Sequence, residues 1–166
     1  MISVTCPNRD YKGWMDYPDF SALTPTIITI IMPEQFKYEA LTHNIIGSAM
    51  EVHKVLDNGF QEVVYQRALA IELKLRNIPF QREMEMPLYY KGENVGSRRV
   101  DFFVDDKIMV ELKATIQLDD TNLAQALNYL EAWNMETGLL INFGSRSLQF
   151  KRLLNKKYKT DRDCRE

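Results

Sequence analysis

Residues 98–114 read RRVDFFVDDKIMVELKA, and this run decides the fold. Asp105-Asp106-Lys107 is a tight turn, and the apolar alternation on either side of it makes 95–104 and 108–114 two antiparallel strands. Strand side chains alternate faces, so Glu111 and Lys113 share one face while Val110 and Leu112 take the other. The turn can bring Asp101 beside Glu111. Two carboxylates and an ammonium then converge on one side of a mostly apolar hairpin.

Working outward, 81–90 is strand-like and Lys91-Gly92-Glu93 is a turn, which extends the hairpin to a three-stranded antiparallel meander. Upstream the period changes from 2 to 3.6. Ile45, Ile46, Ala49, Val52, His53 and Leu56 mark an amphipathic helix over 34–56 that ends at Asp57-Asn58-Gly59. A second helix over about 61–76 carries Val64, Tyr65, Ala68, Leu69, Leu73 and Leu75, with Asn77 and Pro79 at its exit. Downstream, Asp119, Asp120 or Thr121 can cap a helix bearing Leu123, Ala124, Leu127, Leu130 and Ala132 that runs out near Asn134. Residues 138–143 form a nearly continuous apolar strand suited to burial on both faces, and 148–154 supply the last strand. The order α-α-β-β-β-α-β-β is an α+β fold, an α/β sandwich of helices on one sheet.

The whole chain has 166 residues, enough for one domain of ordinary size. Apolar residues at 45% and charged residues at 27% exclude collagen-like, low-complexity and wholly disordered chains. Residues 1–32, punctuated by Pro7, Gly13, Pro18 and Pro25, read as a weakly ordered arm, or as sequence upstream of a true start at Met32. The domain proper is expected over 33–154, and 155–166 form a basic, polar tail. Cys6 and Cys164 lie near opposite ends without Cys or His at metal-ligand spacing, so free thiols in a reducing compartment are expected. The longest apolar stretch, 27–32, is far short of the ~20 residues that span a bilayer. With no basic n-region feeding an apolar run, a cytoplasmic protein is expected.

The net charge is −2. Such a balance lacks the broad basic field of a dedicated nucleic-acid binder. It conceals an asymmetry, because from Lys151 onward seven basic residues face three acidic ones, a +4 end against a body of −6 in residues 1–150.

Asp101, Glu111 and Lys113 admit two readings. A surface salt-bridge ladder would contribute only about 0–1 kcal/mol per pair. Two carboxylates with a backbone carbonyl also make the oxygen-rich, partly open shell that suits Mg²⁺. A glycosidase acid/base pair is a weaker third reading, since Lys113 would keep Glu111 ionised whereas a general acid needs a raised pKa.

Gly59-Phe60-Gln61-Glu62-Val63-Val64-Tyr65 matches the motif of the GxxExxY proteins, and Asp101 with Glu111-Leu112-Lys113 matches the D…ExK signature of the PD-(D/E)XK nuclease superfamily. The blocks 41–43 through 51–54, 94–96 through 101, 125–130 and 139–144 continue the resemblance in order, over about 38–153. The resemblance implies a restriction-endonuclease-like core, a mixed sheet flanked by helices. It implies a catalytic Mg²⁺ or Mn²⁺ held by Asp101, Glu111 and the Leu112 backbone carbonyl. Lys113 would position the attacking water or stabilise the transition state, and Glu62 would complete the metal shell or orient a water. Gln125 and Tyr129, four apart on one helix face, resemble the QxxxY pair of the superfamily's exonuclease branch. One departure stands out: Val100 replaces the proline before the aspartate.

The reading that follows is a divalent-metal-dependent nuclease hydrolysing phosphodiester bonds in DNA or RNA. The alternative is a catalytically inactive nuclease-fold module binding nucleic acid or a protein partner. Around the site, Tyr65 and Tyr129 have half-buried packing as their plainer role, His53 reads as a satisfied core histidine, and Gly59 serves the turn between helices. Arg98 and Arg99 point to opposite faces, so only one can approach the acidic cluster.

Overall fold

The computed structural model describes residues 37–159. The arm at 1–32 and the tail from 160 onward lie outside the described residues.

Helix α1 (Glu39–Leu56) and helix α2 (Glu62–Leu75) come first. Among the described residues α1 begins at Glu39 rather than at 34, because Tyr38 has a left-handed backbone, φ 62°, which a right-handed helix cannot contain. Strands β1 (Phe80–Tyr90), β2 (Glu93–Val104) and β3 (Ile108–Lys113) form the antiparallel meander. Glu93 belongs to β2, and the turn narrows to Lys91 and Gly92, both at positive φ as a tight hairpin turn requires. Helix α3 (Asp120–Ala132) then crosses over to β4 (Thr137–Asn142), which pairs parallel with β3, and β5 (Gln149–Leu154) returns antiparallel. The sheet order is β1-β2-β3-β4-β5, a mixed five-stranded sheet flanked by helices, as expected.

Local chemistry sets the boundaries. Asp119 caps α3 by accepting from the Asn122 N–H at 2.8 Å while Asn122 accepts from the Asp119 N–H, a reciprocal cap that contributes about 1 kcal/mol. Each helix exits through an Asp or Asn in the left-handed region, at Asp57, Asn77 and Asn134. These residues tolerate that conformation best after glycine.

Two apolar clusters sandwich the sheet. The first joins Ile45, Ala49 and Val52 of α1 and Tyr65, Leu69 and Leu73 of α2 to Val110, Leu112, Leu139 and Ile141. The second joins Ala126, Tyr129 and Leu130 of α3 to Met109, Leu140 and Leu153. Interior strand β4 is buried along its whole length, which explains its continuous apolar run. Residues 155–159 fold back on this body: the Asn155 N–H donates to the Glu136 carbonyl, and Lys157 pairs with Glu131.

Candidate active site

The site forms where the sheet comes apart. The β2–β3 ladder stops at Phe102 opposite Val110, whereas β3 stays paired with β4 as far as Lys113. On its other side β2 pairs Phe102 with Arg82 and Val100 with Met84, skipping the Asp101 and Glu83 position between them. Glu83 has φ 55°, a conformation that costs an L-residue about 1–2 kcal/mol. Phe102 packs in the first cluster and Val100, two residues away, in the second. Strict alternation would put both on one face, so the strand rotates at Asp101.

That rotation turns the Asp101 carboxylate into the fork between β2 and β3. The Leu112 N–H, which an unbroken ladder would direct to the β2 backbone, donates to Asp101 Oδ2 at 2.7 Å. Gln66 Nε2 on α2 donates to Oδ1 at 2.9 Å. In an extended residue N–H and C=O share a side, so the Leu112 carbonyl faces the fork as well.

Glu111 and Lys113 share a face, as their spacing predicts, and Lys113 Nζ donates to Glu111 Oε1 at 2.9 Å. Glu111 Oε2 is buried without a hydrogen-bond partner. Burial foremost, then the Asp101 charge, pushes the Glu111 carboxyl up to about 7, with Lys113 opposing, so the lysine does not hold Glu111 ionised as the sequence suggests. Burial likewise raises Asp101 and half-buried Glu62, against the pull of their neighbours. Burial would lower Lys113, but the carboxylates of Glu111, Glu62 and Asp101 outweigh it and hold the ammonium above its ordinary range. The charges of three carboxylates thus act on one ammonium, which Glu111 contacts directly.

The fit to a divalent cation rests on the orphaned Glu111 Oε2, on the spare lone pairs of Asp101 and on an all-oxygen donor set. Among the described residues no three His, Cys, Asp or Glu side chains lie close enough to hold a metal by themselves. Asp101 and Glu111 would offer two carboxylates, and a bound ion would take the rest of its shell from water and backbone.

Residues 39–153 match the PD-(D/E)XK nuclease superfamily. The chain belongs to that superfamily. The narrower likeness to GxxExxY proteins rests on the motif residues alone. No curated protein matches the chain. Among solved structures it is similar to SSO0001, at 16% identity and a TM-score of 0.44, over 74% of this chain and 62% of that one. This chain therefore spans less than two thirds of that protein.

Within this superfamily domain the motif run from Gly59 has a physical meaning. Gly59 sits at φ 114°, open to glycine and strained for other residues. The Tyr65 hydroxyl donates to the Asp57 carbonyl at 2.8 Å and accepts from the Phe60 N–H at 3.1 Å. Its ring stacks on Phe143 at 4.7 Å, and His53 stacks on the same Phe143 and bonds the Ser145 carbonyl. Tyr65 is buried packing, and His53 is half-buried with one ring nitrogen bonded to the chain rather than the core histidine its helical stripe suggests. The Tyr65 contacts anchor the start of α2, where the Glu62 carboxyl feels the charges of Lys113 and Asp101.

Gln125 and Tyr129 hydrogen-bond to each other at 2.8 Å on α3. The Tyr129 ring packs in the second cluster, on the sheet face that carries Met109 and, by strand alternation, Glu111 and Lys113, and Arg98 lies over it at 5.8 Å. Arg99 takes the other face and meets Glu83 at 3.9 Å, a loose pair between exposed groups.

Two residues of the site escaped sequence reasoning. Gln66 follows Glu62 by one helical turn, a spacing that places both on one face. Buried Asn142 accepts from the N–H groups of Thr115 and Gly144 and donates to the Thr115 carbonyl, fixing the chain just beyond Lys113.

Proposed function

We propose that this domain is a divalent-metal-dependent nuclease that hydrolyses phosphodiester bonds in DNA or RNA. The observation that carries the reading is the fork at Asp101: its carboxylate takes the Leu112 N–H, the adjacent Glu111 pairs with the Lys113 ammonium, and the buried Glu111 Oε2 has no partner. Asp101, Glu111 and the Leu112 carbonyl would hold Mg²⁺ or Mn²⁺, which supplies charge neutralisation at phosphorus and activates water when bound. Glu62 completes the donor set or orients a water.

The chain's own residues do the rest. Lys113, held by Glu111 and kept fully protonated by its acidic neighbours, presents an ammonium to the attacking water or to a phosphoryl oxygen gaining charge. Gln125 and Tyr129 offer an amide and a phenol for the phosphate backbone of the substrate. The negative body of the molecule keeps nucleic acid away until a cation offsets the acidic cluster.

The test uses purified protein with Mg²⁺ or Mn²⁺ on single-stranded, duplex and branched DNA and on RNA. Cleavage that disappears in Glu111→Ala and Lys113→Ala supports the reading. Cleavage of none of these substrates by a protein that still binds Mn²⁺ would instead favour the inactive module.

A further inference from the structure

We infer that Gln66 is a positioning residue for metal binding, and that its amide fixes the plane of the Asp101 carboxylate. The inference rests on the metal reading above and adds a role on α2 to it.

A carboxylate turns about its Cβ–Cγ bond with little preference, since such terminal torsions are broad. One hydrogen bond holds one oxygen and leaves the plane free to swing about it. Asp101 has two, one on each oxygen and from different elements: the Leu112 N–H of β3 on Oδ2 and Gln66 Nε2 of α2 on Oδ1. With both made, the remaining lone pairs have fixed directions.

The chemistry of the donor matters as much as its place. Ionised Asp101 only accepts hydrogen bonds, so the amide must present its NH₂. Lys or Arg at this position would neutralise Asp101 and compete with a cation, whereas a neutral amide orients the carboxylate and leaves its charge available. Gln66 is buried and lies next to Tyr65, whose hydroxyl and ring contacts pin the start of the helix. The donor is thus carried on a fixed support, and Glu62 rides on the same turn.

The two variants are Gln66→Met, which keeps the side-chain length and removes the donor, and Gln66→Asn, which keeps the amide and withdraws it from reach. Mn²⁺ binding is followed by electron paramagnetic resonance of the free ion, with circular dichroism to establish folding. Outer partners of metal ligands are typically worth 10–100-fold in affinity. The expected result is a Kd raised about 10–100-fold in each folded variant, with kcat recovering as Mn²⁺ is raised by the same factor. A purely structural role would not give recovery by metal. Wild-type Mn²⁺ affinity in either folded variant overturns the inference and leaves the metal reading intact. If wild-type protein binds no Mn²⁺, the metal reading itself fails, and this role with it.

Discussion

Glu111→Gln should change how the stability of the metal-free protein responds to pH. Burial, reinforced by Asp101, lifts the Glu111 carboxyl from an ordinary 4.5 to about 7. Between those values the folded protein keeps a proton at Glu111 that the unfolded chain has released. Stability falls with rising pH wherever the folded state binds more protons. The contribution of Glu111 is therefore full below about pH 4.5, declines through the window and is lost above about 7. The step is worth about 3 kcal/mol, or on the order of 10 °C in melting temperature for a domain of this size. Asp101 and Glu62 are raised in the same direction, so the wild-type slope is not that of Glu111 alone. The isosteric, uncharged variant isolates the Glu111 share. Urea unfolding in EDTA, repeated from pH 4.5 to 8.5, should show the variant gaining on wild type by up to about 3 kcal/mol as the pH rises. Parallel curves would refute the account of a carboxylate held out of water without a partner.

Mn²⁺ must displace the Glu111 proton, so its affinity should rise about tenfold per pH unit below about 7 and level off above it; titration calorimetry in buffers of different ionisation heat checks this, and a flat profile counts against Glu111 as a ligand. Lys113→Met should lower kcat by roughly 10²–10³-fold while Mn²⁺ binding persists, and an unchanged kcat would remove the lysine from the chemistry. Gly144→Ala should destabilise by about 1–3 kcal/mol or more, because the added Cβ would lie 2.4 Å from the backbone of Ala114 and Thr115; an unchanged melting curve would contradict the tight fit of the chain beyond Lys113.

The element order was legible because each period is strong and each boundary has its own chemistry. Asp105-Asp106 forces a hairpin, Asp119 caps α3, and Asn77 and Asn134 end their helices. The facing of Asp101 and Glu111 follows from that hairpin alone. The rotation at Asp101 does not, because it depends on Glu83, a residue of another strand with no glycine or asparagine to advertise a left-handed backbone. Gln66 was hidden for a different reason. A glutamine one turn into a helix ordinarily faces water, and only the approach of α2 to the fork makes it a buried donor. The likeness that named Gln125 and Tyr129 was legible, and which sheet face their helix covers is a matter of how α3 lies on the sheet, against Met109 and hence on the side of Glu111 and Lys113.

The electrostatics of the fork tie stability to function. With every group ionised, Glu62, Asp101 and Glu111 outnumber the Lys113 ammonium by two charges. Asp101 is held by a backbone N–H and a neutral amide, and neither offsets its charge. The folded chain limits the repulsion by keeping a proton on Glu111 up to about pH 7, so near neutrality that proton occupies the role a divalent cation would fill. Buried carboxylates left in this state cost the fold stability, and the orphaned Glu111 Oε2 adds the desolvation of an unmade hydrogen bond, about 1–3 kcal/mol or more. A structural salt-bridge ladder would arrange its charges to cancel. A surplus of two negative charges beside one ammonium is the imbalance that a bound dication would neutralise, as the proposed metal reading requires.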